Sequence, residues 1–298
     1  MLDWITPDKT LITDRAWNDD KSRRFGSDTA LANIILLGKK YSTKVAVFDG
    51  VLFRYYNGSK PNRSGYGFPL YADSDSFGAI FGLLRSDAKE RGIPLAFCLC
   101  DERQKAVIDS VCRVEWKCTD DDSDYIYKRE SLAALAGKKL HRKRNHINNF
   151  MRLYEDVAYR PLGVSNRGDA LTVAEKWLDE RTDASDDERA ELDCIRTALA
   201  DMDALRIFGG VLYVGDTPVA MTAASAISDA VTDVHYEKAY GEYAVNGAFA
   251  VINQNFASSV SCEYINREED MGIAGLRTAK ESYYPAFNLK KYYGVCKC

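Results

Sequence analysis

Residues 205–239, LRIFGGVLYVGDTPVAMTAASAISDAVTDVHYEKA, decide the fold. Three runs rich in β-branched and small apolar residues, Leu205 to Val214, Thr217 to Ile227 and Val231 to Ala239, are separated by Gly215-Asp216 and Ser228-Asp229. Short links of that composition close tight hairpins, so the three runs form an antiparallel meander. Downstream, a helix runs from Asn246 to Ser259, with Asn246 as its N-cap and the small Gly247 and Ala248 behind it. A strand at Cys262 to Arg267, a helix at Ile273 to Ser282 and a strand at Leu289 to Val295 complete that side.

Upstream of the meander, the periodicity predicts a strand at Val157 to Pro161 and helices at Asp169 to Arg181 and Asp186 to Asp203. A strongly basic helix, Ser131 to Tyr154, precedes them. Between Lys138 and Arg152 it carries six Lys or Arg, two His and no acid. At about 100° per residue, Leu132, Ala136, Leu140, Ile147, Phe150, Met151 and Tyr154 share one face. Lys143 falls inside that apolar stripe, and Lys139 and His146 flank it. A lysine so placed either snorkels to water along its stem or points into a polar pocket that holds an anion.

The first half repeats the pattern more weakly. Residues 1–27 are polar and turn-rich, and a short helix follows from Asp28 to Gly38. KVAVFDGVLFRYYNG then reads as a hairpin turning at Asp49-Gly50, with a third strand near Tyr66 to Tyr71. An amphipathic helix spans Ser74 to Arg91, and an apolar strand spans Ile93 to Cys100. Asp101 caps a helix from Glu102 to Val111. The acidic run TDDDSD, Thr119 to Asp124, reads as a solvated linker. The expectation is an α/β fold (mixed α+β) of two tandem domains, residues 1–128 and 129–298. The order of meander, helix, strand, helix, strand is that of the GCN5-related N-acetyltransferase (GNAT) fold, in which the strand before the central helix splays from its neighbour and opens a cleft.

With 298 residues and 46% hydrophobic content the chain can fill such a core, and a net charge of −4 excludes a protein basic overall. No stretch approaches the roughly 18 apolar residues of a membrane span, and the N-terminus MLDWITPDKT has no leader pattern. A cytoplasmic location follows as an expectation. The eight cysteines contain no C-x-x-C pair, and His141, His146 and His235 make no H-x-x-x-H, so the spacing predicts reduced thiols and no metal site.

Three phrases carry a family likeness: KKLHRKRNHINNF (138–150), VHYEKA (234–239) with VINQNFA (251–257), and YINREEDMGIAGLRTAKESYYP (264–285). They resemble a bacterial family related to the C-terminal catalytic domain of phosphatidylglycerol lysyltransferases, which carries tandem GNAT-like domains. The resemblance implies an acyl- or aminoacyl-transferase that uses aminoacyl-tRNA or acyl-CoA as co-substrate and a small-molecule or lipid-headgroup amine or hydroxyl as acceptor. The chain has none of that family's membrane helices. It also lacks the Q/R-x-x-G-x-G/A loop with which acetyltransferases hold coenzyme A. The other functional class is a non-catalytic module that holds a phosphorylated or carboxylated ligand.

Transfer of this kind needs a base, donors for the oxyanion and an acid for the leaving group. On the strand VHYEKA, His235 and Glu237 lie two apart and so share a face. Glu237 is the first candidate base and His235 the alternative, against an ordinary interstrand ion pair. For the donor's anionic groups, the candidates are Lys139, Arg142, Lys143 and His146 on the basic helix and Asn246 and Gly247 at the next helix N-terminus. Asn266, Arg267, Arg277 and Lys280 join them from the last phrase. Arg277 and Lys280 fit equally an internal network with Glu268, Glu269 and Asp270. Tyr283 or Tyr284 is the candidate acid, although tyrosines before a proline also serve as packing residues.

Overall fold

The computed structural model describes residues 2–13, 24–58, 60, 63–71 and 77–297. After a single turn, α1 (Thr10–Thr13), and α2 (Leu31–Leu36), the chain forms the hairpin β1 (Lys44–Phe48) and β2 (Val51–Asn57). Asp49 and Gly50 take φ of 49° and 74°, the left-handed pair that a two-residue hairpin turn requires. Then come β3 (Ser64–Tyr66), α3 (Phe77–Glu90), β4 (Ala96–Cys100), α4 (Glu102–Asp109) and β5 (Val114–Cys118). The helix expected from Ser74 is seen from Phe77; residues 74–76, like residues 14–23 of the turn-rich start, lie outside the described residues. Asp101 caps α4 as expected, in a box with Gln104.

The second half runs β6 (Asp124–Lys128), α5 (Arg129–Ala134), α6 (His141–Leu153), β7 (Val157–Pro161), α7 (Arg167–Asp179), α8 (Asp186–Ala200) and the turn α9 (Met202–Leu205). The meander follows as β8 (Phe208–Val214), β9 (Thr217–Ser228) and β10 (Val231–Ala239). After it come α10 (Gly241–Asn246), α11 (Ala248–Ser259), β11 (Tyr264–Asn266), α12 (Ala274–Glu281), β12 (Phe287–Leu289) and β13 (Tyr292–Cys296). Both expected helix starts change. The basic helix is two helices, broken where Leu135 and Gly137 turn left-handed, and Arg144 Nη1 donates to the carbonyls of Leu135 and Gly137 that the break exposes. At Gly247, φ is 120°, so α10 and α11 are separate and Asn246 ends the first rather than capping the second.

The strands assemble into a six-stranded sheet, β1-β2-β3-β4-β13-β5, and a seven-stranded one, β12-β6-β11-β10-β9-β8-β7. Each half lends the other a strand. β6 pairs antiparallel with β11 and β12 in the second sheet, and the C-terminal β13 pairs antiparallel with β4 and β5 in the first. A cut at 128/129 therefore does not divide the sheets. The acidic run is no solvated linker either. Asp124 is fully buried in β6 and pairs with the buried Lys291 at 2.6 Å, while Asp121 pairs with Arg277 at 2.6 Å.

Each sheet holds one parallel joint: β3 with β4 at Tyr66↔Phe97, and β10 with β11 from Val231↔Tyr264 to Asp233↔Asn266. Beyond Asp233 the pairing with β11 ends, while β10 continues along β9 to Ala239. That divergence is the wedge the element order predicted. One face of the second sheet packs on α7 and α8 through Val173, Trp177, Ile195 and Tyr236, and the other packs on α5, α6 and α11 through Leu132, Phe150, Val234 and Phe256. Among the described residues no helix is long and apolar enough to cross a membrane.

Candidate active site

The wedge between β10 and β11 is polar where a packing core would be apolar. On its α11 face, Glu237 accepts hydrogen bonds from Arg267 Nη2 at 2.8 Å and from Asn253 Nδ2 at 3.2 Å. Arg267 follows directly after β11 and Asn253 sits on α11, so the two elements that flank the wedge meet on one carboxylate. Thr222 lies opposite Glu237 on β9 and shares its face. Lys143 reaches in from α6, its Nζ 3.9 Å from the centre of the Tyr283 ring, and the Arg267 guanidinium lies 5.0 Å from the same ring.

Electrostatically the pocket is short of negative charge. Two cations, Arg267 and Lys143, stand with the single carboxylate of Glu237. Burial, and then the neighbouring Arg267, lower the Lys143 ammonium from its usual range to about 8. Three buried polar atoms here have no hydrogen-bond partner: Arg267 Nη1, Asn253 Oδ1 and Thr222 Oγ1. Buried atoms left unpartnered cost free energy, and they are groups a substrate can satisfy. Lys143 itself is half-buried, with its ammonium over the face of the Tyr283 ring. Tyr283 is buried, which raises its hydroxyl, whereas Tyr284 is exposed at φ 54° beside Lys139.

His235 does not join Glu237. Between Val234 and Tyr236 the β10–β9 register shifts, and the extra residue at this bulge reverses the expected alternation. Tyr236 packs toward α7 and α8, and Glu237 faces α11. His235 is buried on the other side of the sheet, where Ser225 Oγ lies 2.8 Å from Nε2 and Asp233 and Glu268 lie 3.4 Å from Nδ1. This second polar group adjoins the first half: Asn33 of α2 donates to Asp233 at 3.2 Å and to Glu268 at 2.8 Å. Asn33, Glu268 and Glu269 line a recess of about 400 Å³, part of it open to solvent, together with Asp28, Tyr41, Tyr56 and Arg63. Burial alone would raise the Glu269 carboxyl, but Arg63 and Lys291 outweigh it and hold it down at about 2.

The other expected site residues are placed elsewhere. Asn266 is fully buried: it donates to Phe25 O and Asp124 and accepts from the Glu268 amide, which locks β11 rather than facing a ligand. Arg277 grips Asp270 with Nε at 2.8 Å and Nη2 at 2.9 Å, and Lys280 donates to the carbonyls of Arg267, Glu268 and Glu269. Both therefore serve the internal network, holding the 267–270 loop. Lys139, Arg142 and His146 are exposed on or just before α6. Asn246 donates to Tyr154 OH, and a Cβ on Gly247 would lie 2.6 Å from the His146 carbonyl, so α6 covers the start of α11 where a phosphate was expected. Sequence reading passed over Asp233, Asn253, Thr222 and Asn33. The available signals were weak: Asp233 stands two before His235, and Asn33 interrupts the apolar LANIIL.

Comparisons with known proteins agree with this architecture. Residues 20–294 match the family described as "Phosphatidylglycerol lysyltransferase, C-terminal". A structure of a conserved protein of unknown function from Bacteroides thetaiotaomicron is 31% identical and covers 100% of both chains with a TM-score of 0.89. The structure of L-PGS from Bacillus licheniformis superimposes over 97% of this chain and 92% of its own with a TM-score of 0.67, at 14% identity, a likeness of fold. An uncharacterized protein of Mycoplasmoides gallisepticum is 26% identical over 182 residues, 57% of this chain; the chain spans about half, 55%, of that curated relative's length.

Proposed function

Because the chain belongs to the phosphatidylglycerol lysyltransferase C-terminal family, we propose that it is an aminoacyltransferase working in the wedge between β10 and β11, moving an aminoacyl group from aminoacyl-tRNA to an amine or hydroxyl acceptor. The observation that carries this reading is the part-buried Arg267 and Lys143 over the Tyr283 ring, with the buried Arg267 Nη1 unpartnered. An acceptor that attacks an aminoacyl ester forms a new C–N or C–O bond and places negative charge on the former carbonyl oxygen. Donors already fixed in a buried site stabilise that charge without reorganising. Arg267 Nη1 is such a donor, and Glu237 and Asn253 hold its guanidinium in place.

Glu237 is thus assigned to positioning Arg267 rather than to the base, because both of its oxygens already accept hydrogen bonds. The proton lost by the acceptor goes to Lys143. Its ammonium, lowered to about 8, is partly deprotonated near neutral pH and can return the proton to the leaving ribose oxygen. Tyr283 forms the floor under both cations.

Two features favour tRNA over coenzyme A as donor. The exposed Lys138, Lys139, Arg142 and His146 lie on or just before the helix that delivers Lys143, as a contact for a polyanion would. The start of α11, meanwhile, is closed off by the His146 carbonyl. The test is transfer of radiolabelled amino acid from charged tRNA to amine and hydroxyl acceptors. Arg267→Gln is expected to lower kcat about 10²–10³-fold, the usual loss for one oxyanion donor. Absence of transfer from every aminoacyl-tRNA tried, or an unchanged rate in this variant, overturns the reading.

A further inference from the structure

The second polar group, on the face of β10 opposite the wedge, is not used by this chemistry. His235 Nδ1 lies 3.4 Å from Asp233 Oδ2 and 3.4 Å from Glu268 Oε1, and the three atoms all lie within 4.8 Å of one another. As hydrogen bonds these contacts are long, beyond the usual N–H···O range, and a single Nδ1–H can serve only one of the two carboxylates. Around a tetrahedral ion with ligand distances of about 2.0–2.1 Å, neighbouring ligand atoms stand about 3.4 Å apart. The two imidazole–carboxylate separations have that spacing.

The charge arrangement points the same way. The Asp233 carboxylate is completely buried, and its second oxygen, Oδ1, has no hydrogen-bond partner. Asn33 Nδ2 faces the Asp233 and Glu268 oxygens and also Ser27 O at 3.1 Å, so two amide hydrogens meet three acceptors. The far ring nitrogen of His235 is held by Ser225 Oγ at 2.8 Å, the outer hydrogen bond that orients a metal-bound imidazole.

We propose that Asp233, His235 and Glu268 bind one divalent transition-metal ion. One nitrogen and two carboxylate oxygens suit Zn²⁺ or Mn²⁺. Asp233 and His235 are sealed within the protein, while the part-exposed Glu268 lines the recess between the halves and gives the ion its entry. The spacing of histidines and cysteines argued against a metal because this site draws its third ligand from 33 residues away, across the parallel joint of β10 and β11.

The inference is independent of aminoacyl transfer, and its test reads binding alone. The full chain, dialysed against a chelator, is titrated with ZnCl₂ and with MnCl₂ by calorimetry, and its thermal midpoint is followed with each ion. One equivalent of at least one ion is expected to bind and raise the midpoint, with affinity falling at least tenfold in His235→Ala and in Glu268→Gln. Glu268→Gln preserves the shape of the side chain, so it decides the matter if His235→Ala does not fold. Neither ion binding the wild-type chain, or binding unchanged in Glu268→Gln, overturns the proposal.

Discussion

The two halves share a frame and fill it differently. In each, a three-stranded meander is followed by a helix and then by a strand that pairs parallel with the meander's last strand, and in each the next place in the sheet is taken by a strand from the other half. At the first joint the space holds Tyr55, Tyr66, Phe77, Phe81 and Phe97, and the buried acid Asp87 receives Trp4 Nε1 at 2.9 Å and Tyr66 OH at 2.6 Å. At the second joint it holds Glu237, Arg267, Lys143 and Asn253, with donors and acceptors left open. The first joint is packed with aromatic rings around an acid whose hydrogen bonds are made; the second is polar, with buried atoms unpartnered. A shared backbone thus says where a site can be, and the side chains at the joint say which copy is the candidate.

The largest effect is expected where the halves depend on each other equally. Lys291, 2% exposed, lies 2.6 Å from Asp124 and donates to Ser27 Oγ. Lys291→Ala leaves a buried carboxylate without its cation beside both exchanged strands, and a loss of about 3–5 kcal/mol is expected. Urea unfolding measures it. A loss below about 1 kcal/mol would mean that the exchange is not held from this point.

The next predictions set the joints against each other. Lys143→Met keeps the stem and removes a charge that faces a ring instead of a carboxylate, so transfer should fall about 100-fold, within the usual range for a proton-transfer group, with no loss of stability. In the wild type the rate should rise with pH through an inflection near 8, and that inflection should vanish in the variant. The folded-state lysine is less basic than the free one, so it holds fewer protons between about pH 8 and 10.4 than the unfolded chain does. Wild-type stability relative to Lys143→Met should therefore rise across that window. Tyr66→Phe is the mirror experiment. It takes one donor from the buried Asp87 and should lower stability by about 1–2 kcal/mol while leaving transfer unchanged. Slower transfer in Tyr66→Phe would show that the plugged joint also serves the proposed reaction.

What the sequence showed depended on how local the signal was. The Asp49-Gly50 turn, the Asp101–Gln104 cap and the three-strand meander are written in neighbouring residues and read correctly. Strand exchange is not local. DYIYK and YYGVC are sound strands in either sheet, and only long-range partners such as Asp124 with Lys291 decide between them. At His235 a single extra residue moved a side chain to the opposite face of the sheet, which no alternation pattern reveals in advance. Lys143 was legible because a charge inside an apolar stripe is anomalous in any helix. Asn253 and Thr222 were not, because a buried polar residue opposite an unseen partner looks like any other.

The smallest effect concerns the loop that both readings of the last motif share. Asp270 is fully buried, and hydrogen bonds from Arg277 first, then Tyr125 OH and the Gly272 amide, outweigh its burial and hold its carboxyl down at about 2. A carboxyl less basic when folded than when unfolded stabilises the fold above its unfolded value, near 3.9, and that contribution is lost as pH falls toward 2. Arg277→Ala removes the two-pronged grip yet leaves Tyr125 and Gly272 in place, so the variant should lose stability at neutral pH and show a shallower fall between about pH 4 and 2. Denaturant midpoints measured across that range give the slope. An unchanged slope would place the hold on Asp270 with Tyr125 and the backbone, freeing Arg277 for the anion-binding role that its position in the sequence first proposed.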